Sequence, residues 1–406
     1  MSHDIRPFKI NVPDSTIDAL KAKLAAATLP DEVDFSDDWT YGAPRSDIKR
    51  LVEHWKDGFD WRAQEKKLNQ VPQFTTKVAV DGFDDLQIHF LHQKSNKADS
   101  IPLLFCHGWP GSFLEVLKIL PLLTESSDGP SFHVVAPSLP NFGFSDGVTK
   151  KGFSIPQYAE TLHNLMIKLG YNKYVTQGGD WGFIITRLIG IRYPDSCLAS
   201  HLNFVRVSKP PSLSQSPLQY LKHALLPYTD FEKAGRARSG WFQRHGFGYN
   251  VQQSTKPSTL GFALADSPVA VLAWIYEKLH DWTDDYPWTD DEILTWISVY
   301  QFSTAGPAAS VRIYYEATHG DVDEVAKGLD YISGIPLGLS YFPKDLVVPP
   351  KTWGRTLGPA VFEETHPEGG HFGAHERPKE LADDLRKMFG EGGGAHNVVA
   401  KFQSKL

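Results

Sequence analysis

The pentapeptide at 178–182, Gly-Gly-Asp-Trp-Gly, has the composition of a nucleophile elbow, a sharp turn that presents one reactive side chain between a strand and a helix. Residues 174–177 before it include β-branched and aromatic residues, which predicts a strand, and the mostly apolar segment 183–189 after it predicts a buried helix. Glycines flank the apex because a Cβ would clash in so tight a turn. The apex residue is Asp180, and its chemistry decides what such a site can do.

An ionised carboxylate is nucleophilic without a base, since its reference pKa is about 4, and the start of the following helix favours its charged form. Attack by Asp180 on an sp³ carbon would form an alkyl ester, whose carbonyl water can then attack. A serine there would form an ether and stop. The elbow therefore predicts hydrolysis of a C–O or C–halogen bond at saturated carbon. The plain alternative is an aspartate that only caps the helix.

Two later residues complete a triad with Asp180. Asp345 ends the motif Phe-Pro-Lys-Asp after a predicted strand, and His371 lies in a glycine-flanked loop after the last predicted strand. The order nucleophile, acid, histidine is that of α/β-hydrolases, and the carboxyl ends of parallel strands meet on one side of a sheet. We expect His371 to take a proton from water and Asp345 to orient the imidazole. The chain has 16 histidines, so the strand-end position, not the residue type, singles out His371.

The turn at 107–112, His-Gly-Trp-Pro-Gly-Ser, follows the third predicted strand of the sheet, where the second oxyanion donor of such folds lies. We expect the backbone N–H groups of Trp109 and Trp181 to point at the carboxyl oxygen of Asp180 and to polarise the ester for attack by water. The plain alternative is a structural Gly-Pro turn.

Strand and helix patterns alternate around these motifs. The rhythm from residue 74 predicts an α/β fold with a mostly parallel, doubly wound sheet. It breaks near 208, where about 125 mostly helical residues predict an inserted cap. Residues 1–73 contain costly tryptophans and no domain pattern of their own, so they should wrap onto the rest of the protein. The predicted divisions are a wrapping segment (1–73), the core (74–207 and 336–390), the cap (208–335) and a flexible glycine-rich tail (391–406).

The composition of the chain argues against several classes of binding partner. The 406 residues are 41% hydrophobic and carry a net charge of −7, which argues against nucleic acid or an anionic membrane as a partner. No apolar run approaches the roughly 20 residues of a membrane span, and the first residues have no signal-peptide pattern. The two cysteines, Cys106 and Cys197, form no disulfide framework and suit a reducing compartment. Cys106 lies in an apolar run and should be a buried small hydrophobe.

The final tripeptide, Ser404-Lys405-Leu406, matches the signal read by the peroxisomal import receptor. It follows a glycine-rich stretch that would present it freely. We expect a peroxisomal location, with the cytoplasm as the alternative.

These motifs together resemble the microsomal-type epoxide hydrolases, in a soluble form without an anchor, over nearly the whole chain. The resemblance implies an α/β-hydrolase fold, no cofactor, an alkyl-enzyme ester on Asp180, and two cap tyrosines that hydrogen-bond the oxirane oxygen. The motif Gly-Tyr-Asn matches the first at Tyr249, and Arg-Ile-Tyr-Tyr-Glu matches the second at Tyr314, with Tyr315 as the neighbouring alternative. A phenol with a reference pKa near 10 stays protonated at neutral pH and can donate to the leaving oxygen.

Two other interpretations of the same residues remain open. A haloalkane or haloacid dehalogenase also uses an aspartate elbow, and the N–H groups of Trp109 and Trp181 would serve a halide. A catalytically silent α/β-hydrolase that binds an apolar ligand is a third reading.

His375 lies four residues after His371, but the pattern of a metal-binding helix is missing, so no metal is expected. Whether His375 lies near the acid–base pair and perturbs it is left open. The expected partners are a small apolar epoxide and water, and a homodimer is left open.

Overall fold

The computed structural model describes residues 4–125, 129–207 and 209–403, and these build one nine-stranded sheet. Its strands are β1 (Arg6–Pro7), β2 (Gln73–Val78), β3 (Leu86–Gln93), β4 (Ile101–Cys106), β5 (Phe132–Pro137), β6 (Tyr174–Gly178), β7 (Cys197–Leu202), β8 (Leu337–Tyr341) and β9 (Ala360–Thr365). Their order across the sheet is β1-β2-β3-β5-β4-β6-β7-β8-β9. The pairs from β1 to β5 along this order are antiparallel, and all pairs from β5 to β9 are parallel. This is the predicted, mostly parallel α/β-hydrolase sheet.

Helices cover both faces of the sheet and form the insert. In chain order they are α1 (Asp14–Ala25), α2 (Arg45–Asp57), α3 (Trp61–Leu68), α4 (Leu120–Thr124), α5 (Ile155–Lys168), α6 (Trp181–Arg192), α7 (Pro217–Leu225), α8 (Asp230–Trp241), α9 (Gly248–Thr255), α10 (Pro257–Asp266), α11 (Pro268–Asp281), α12 (Asp290–Gln301), α13 (Arg312–His319), α14 (Val322–Lys327), α15 (Lys351–Gly354), α16 (Gly373–Glu376), α17 (Pro378–Phe389) and α18 (His396–Gln403). Single turns of 3₁₀ or π-helix lie at Phe113–Val116, Phe242–Gly246, Ala309–Val311 and Arg355–Leu357.

The central strands are buried on both faces, which explains why β4 is continuously apolar rather than alternating. Every residue of β4 and of β6 is buried. In their parallel register Cys106 lies opposite Gly178, so the two strands end side by side. The loops that leave their carboxyl ends therefore begin next to each other.

Helices α7 to α14 follow β7 and precede β8, so the helical insert lies above the carboxyl edge of the sheet. Helices α9 and α13 pack against each other, as do α11 and α12. Among the described residues no single helix is both long and apolar enough to cross a membrane; α10 and α11 pass that test only as a pair bent by 116°.

The N-terminal segment packs onto the cap and also extends the sheet. Helices α1 and α2 contact α11, and α2 and α3 contact α12, while β1 adds an edge strand that the sequence did not predict. Trp55 and Trp61 are buried, and Trp39 stacks on His280 with ring centroids 3.5 Å apart. The apolar surface of these tryptophans thus explains the docking of the segment.

The structure differs from the sequence prediction in two further places. The sequence of residues 113–123 predicts one helix, but the structure has a 3₁₀ turn and then α4 there, because Pro121 has no N–H to continue a helix through this point. Residues 391–406, expected as a flexible tail, contain α18, which lies against α17 and β7 with Val399 buried. The predicted import tripeptide 404–406 lies outside the described residues.

Candidate active site

Asp180 lies at the sharp turn between β6 and α6. Its backbone has φ of +48° and ψ of −123°, a conformation that L-residues rarely adopt. Neighbouring glycines make the turn possible because the chain segments pack so closely: a Cβ on Gly182 would lie 2.1 Å from the carbonyl oxygen of Cys106. A Cβ on Gly108 would lie 2.1 Å from Asp180 Oδ1 itself. The strained backbone therefore exposes the Asp180 carboxylate directly above the ends of β4 and β6.

The two oxygens of the Asp180 carboxylate have different partners. Oδ1 accepts the backbone N–H of Trp109 at 2.7 Å. Oδ2 lies 3.3 Å from Nε2 of His371. The Asp180 side chain keeps 15% of its surface exposed, whereas the side chain of His371 keeps 2%. One face of the carboxylate is thus held by donors and the other remains open to a ligand.

His371 and Asp345 meet as the strand-end prediction requires. Nδ1 of His371 lies 2.7 Å from Oδ1 of Asp345, and the same carboxylate oxygen accepts the backbone N–H of Leu346 at 2.7 Å. The backbone N–H of His371 donates to the carbonyl of Trp282 at 2.7 Å, which fixes the loop against the cap. Asp345 therefore holds Nδ1 protonated and directs Nε2 toward Asp180.

The His371 imidazole lies between two carboxylates. Burial alone would lower its pKa, but Asp345 and Asp180 together outweigh burial and raise the pKa to about 10. At neutral pH the resting site therefore contains an imidazolium between two carboxylate anions. Loss of either negative charge would lower this pKa.

The structure brings only one of the two predicted oxyanion donors into contact with Asp180. The Trp109 N–H makes the bond described above, while none of the described hydrogen bonds joins the Trp181 N–H to the carboxylate. With Oδ1 facing Trp109 and Oδ2 facing His371, both oxygens already have a partner. The Trp181 side chain instead lines the cavity above Asp180.

Tyr249 and Tyr314 come from α9 and α13 and lie over the carboxylate. Their ring centroids are 5.9 Å apart, and the Tyr249 ring stacks on Trp109 at 5.2 Å. Both are buried, and burial, with the nearby charge of Asp180, raises the pKa of each hydroxyl well above its usual value. Both phenols are therefore protonated donors across the physiological range of pH.

The hydroxyl of Tyr314 is buried without a hydrogen-bond partner of good geometry among the described residues, although Trp181 and Tyr249 lie near it. A buried hydroxyl without an acceptor destabilises the folded protein. This hydroxyl is therefore available to donate a hydrogen bond to an acceptor on a ligand. Tyr315, the neighbouring alternative, stacks on His319 and lines a different cavity. The structure thus places Tyr314, not Tyr315, at the site.

A cavity of about 60 Å³ lies above Asp180. Apolar and aromatic side chains form most of its wall. Its lining residues are Asp180, Trp181, Phe183, Ile184, Phe204, Arg206, Phe242, Phe247, Tyr249, Asn250, Tyr314, Leu346 and Val347. The wall suits an apolar ligand whose polar centre meets Asp180 and the two phenols.

Glu376 supports the His371 loop and was not found from the sequence. Its Oε2 accepts the N–H groups of Asp284 at 2.9 Å and of Gly370 at 3.1 Å, and its Oε1 accepts that of Phe372 at 3.0 Å. Gly370 and Phe372 flank His371, and Asp284 belongs to the cap. One buried carboxylate therefore fixes the loop on both sides of the histidine. A glutamate five residues after a histidine is too common a spacing to reveal this role.

The side chain of His375 points away from the triad. Its Nε2 lies 3.1 Å from Nζ of Lys118, and its ring stacks on Trp288. Burial and then the charge of Lys118 lower its pKa to about 3, so the imidazole is neutral. Among the described residues no group of three or more His, Cys, Asp or Glu side chains is placed to hold a metal ion.

The chain is similar to known proteins over most of its length. The model of the epoxide hydrolase N terminus matches residues 5–116, and that of the alpha/beta hydrolase fold matches residues 101–221. A putative epoxide hydrolase of Stigmatella aurantiaca is 39% identical, with 95% of this chain and 84% of the relative covered. Epoxide hydrolase 1 of Sus scrofa is 34% identical, with 95% of this chain and 88% of the relative covered.

Solved structures show the same likeness. The structure of Aspergillus niger epoxide hydrolase has a TM-score of 0.81 at 37% identity, with 95% of each chain covered. The juvenile hormone epoxide hydrolase of the silkworm Bombyx mori has a TM-score of 0.86 at 28% identity, with 98% of this chain and 95% of that chain covered.

Proposed function

The chain belongs to the epoxide hydrolase family, and we propose that it converts epoxides and water to vicinal diols through a covalent ester on Asp180. One observation carries the mechanism: a single carboxylate at a strained turn receives Trp109 N–H on one oxygen, faces His371 with the other, and lies beneath two buried phenols.

In the first step a carboxylate oxygen of Asp180 attacks an oxirane carbon and the C–O bond to that carbon breaks. Tyr249 and Tyr314 hydrogen-bond the oxirane oxygen, so negative charge on that oxygen is stabilised as it leaves. The proton that this oxygen keeps is supplied, in net balance, by the imidazolium of His371. The products are a neutral ester, a hydroxyl group and a neutral imidazole.

In the second step the neutral His371 takes a proton from water, and the resulting hydroxide attacks the ester carbonyl. Esterification has removed the charge of Asp180, and with it part of the interaction that raises the pKa of His371. The same histidine thus becomes a base when the ester exists. Collapse of the tetrahedral intermediate, stabilised by Trp109 N–H, releases the diol and restores the Asp180 anion and the imidazolium.

The cap phenols separate this function from the dehalogenase and the silent binding protein. The wild-type protein should form diol from a styrene-oxide-type epoxide and release no halide from chloro- or bromoalkanes. Tyr249→Phe and Tyr314→Phe should each lower the rate of diol formation by about 10- to 100-fold, and the double variant by about 1000-fold or more, because the oxirane oxygen loses its donors. Diol is quantified by chromatography, and halide by ion chromatography.

Tyr315→Phe is the matched control, since Tyr315 is the next residue of the same helix but lines another cavity. It should retain the wild-type rate. Halide release without diol formation would replace the proposal by a dehalogenase. An equal loss in all three single variants would show that the tyrosines act through packing and not through their hydroxyls.

Glu376→Gln tests the support of the His371 loop. Its carboxylate is also a negative charge near His371, and burial raises its own pKa to about 7 against the backbone donors that lower it. We expect the rate of ester hydrolysis to fall about tenfold, because an amide nitrogen now faces N–H donors. Where Glu376 is ionised, its charge favours the imidazolium, so loss of that charge should lower the pKa of His371 in the ester and move the acidic limb of the pH profile to lower pH.

The measurement is single-turnover hydrolysis of the ester followed by rapid quench between about pH 5 and 9, on either side of the ordinary histidine pKa. Charged and titratable groups around Glu376 are His371, Asp284, Arg238 and Tyr286. Glu380→Gln, on the neighbouring α17, is the control and should leave the limb in place. A slower rate with an unmoved limb would assign Glu376 a purely structural role.

The peroxisomal location stays a prediction from the sequence, because residues 404–406 lie outside the described residues. A homodimer likewise stays a hypothesis.

A further inference from the structure

Arg206 is a charged residue in the wall of the proposed substrate cavity. It follows β7 and lines the same cavity as Asp180, Tyr249 and Tyr314. It is exposed, and within the described parts of the chain neither an ion pair nor a hydrogen bond engages its guanidinium. A guanidinium held at the wall of a substrate cavity without a carboxylate partner keeps all five N–H donors available to a ligand.

Apart from Arg206, Asp180, Asn250 and the two phenols, the cavity is lined by aromatic and aliphatic residues. Phe204 precedes Arg206 by two residues, and Phe242, Phe247 and Leu346 belong to the same wall. A ligand that reaches from Asp180 to Arg206 therefore passes along hydrophobic side chains between two polar ends. This matches a molecule with an oxirane at one end, a hydrocarbon body and a charged group at the other.

The charges of the site determine the sign of that group. The cavity contains the Asp180 anion, and the protein carries a net charge of −7, so an anionic substrate would meet repulsion at an uncompensated site. Arg206 lines the same cavity as Tyr249, and its charge opposes the increase in the phenol pKa that burial causes. Its charge can therefore offset the repulsion where a substrate binds, and a planar guanidinium pairs well with a carboxylate.

We propose that the substrates of this enzyme include apolar epoxides that carry a carboxylate, which Arg206 binds while the oxirane lies between Asp180 and the two phenols. The inference rests on the proposed function of the same site and adds the class of substrate. Neutral epoxides of similar shape bind the same apolar wall without the ionic contact, so they are turned over with a higher KM.

The experiment compares matched substrates that differ only in charge. One pair is 4-(oxiran-2-yl)benzoate and its methyl ester, and a longer pair is 10,11-epoxyundecanoate and its methyl ester. For the pair that spans the cavity, wild-type enzyme should prefer the carboxylate in kcat/KM, and added salt should reduce that preference. Arg206→Gln should lower kcat/KM for the carboxylate about tenfold or more, mainly through KM, and leave the ester within about twofold.

Arg236→Gln is the matched control, because Arg236 is an exposed cap arginine that contacts Tyr228 and does not line the cavity. This variant should leave kcat/KM unchanged for both the carboxylate and the ester. Arg206→Glu should lower kcat/KM for the carboxylate substrate further than Arg206→Gln does, and it should still hydrolyse the oxirane of the ester substrate. Equal effects of Arg206→Gln on acid and ester, or a wild-type preference for the ester in both pairs, would overturn the proposal.

The ester separates this failure from a failure of the proposed function. If wild-type enzyme hydrolyses both methyl esters at their oxirane but shows no Arg206-dependent preference for the acids, the function stands and the substrate class is wrong. If no epoxide in the set yields diol, the proposed function itself fails.

Discussion

Replacing His371 with Gln is expected to trap the enzyme as its alkyl ester and to lower turnover by about 1000-fold or more. The amide of the new side chain cannot take a proton from water, so the ester persists. Asp180 and the two phenols are unchanged, so the first step still proceeds, but solvent water replaces the missing imidazolium as the source of the proton on the oxirane oxygen, and the ester should form more slowly than in the wild type. Intact-protein mass spectrometry after addition of an epoxide should show one substrate mass added. Peptide mapping should place it on the peptide that contains Asp180.

His375→Gln is a suitable control, because its imidazole faces Lys118 and Trp288 and not the triad. This variant should turn over without a stable adduct. If His371→Gln gives no adduct, or gives one on another peptide, the two-step mechanism is wrong even when turnover is lost.

Replacing Asp180 with Ala is expected to abolish both turnover and adduct formation, with a loss of about 10,000-fold or more, since the nucleophile itself is removed. Combining Asp180→Ala with His371→Gln should give the same loss as Asp180→Ala alone and no added mass. Thermal unfolding of the single variant should stay close to that of the wild type, which shows that the loss is chemical.

Isotope transfer tests the same residue in the unaltered enzyme. A single turnover in heavy-oxygen water should place the label in the carboxylate of Asp180, because water attacks the carboxyl carbon of the ester and not the substrate. The diol from this first turnover should contain unlabelled oxygen. An unlabelled Asp180 with label in the diol would mean direct attack by water on the epoxide.

The nucleophile, its acid and its histidine could be predicted because each depends on local sequence. Asp180 is specified by a glycine-flanked turn, and Asp345 and His371 follow predicted strands whose ends a parallel sheet must bring together. The structure places all three in contact. The parallel β-α rhythm likewise predicted the sheet, because buried parallel strands are short, continuous apolar runs.

What depended on packing between distant segments could not be predicted in the same way. Tyr249 and Tyr314 were identified only through the family resemblance, since any of 15 tyrosines fits the bare pattern. Glu376 acts through backbone N–H groups, which carry no residue-type signal. Arg206 was singled out because none of the described residues pairs with its guanidinium, and its surroundings come from the loop after β7 and the cap together.

The N-terminal helices also constrain how substrate reaches the site. They hold the cap from outside: Nε2 of His54 lies 2.8 Å from Asp291, and the Tyr276 hydroxyl donates to Asp47 at 3.0 Å. The cap lies between these helices and the sheet, so a rigid-body movement of the cap away from the sheet would break such hydrogen bonds. We therefore expect molecules to enter and leave by rotations of partly exposed side chains that line the cavity. The rate of product release should then respond to the bulk of residues such as Phe247 and Val347, and little to the flexibility of the chain segments that join cap and core.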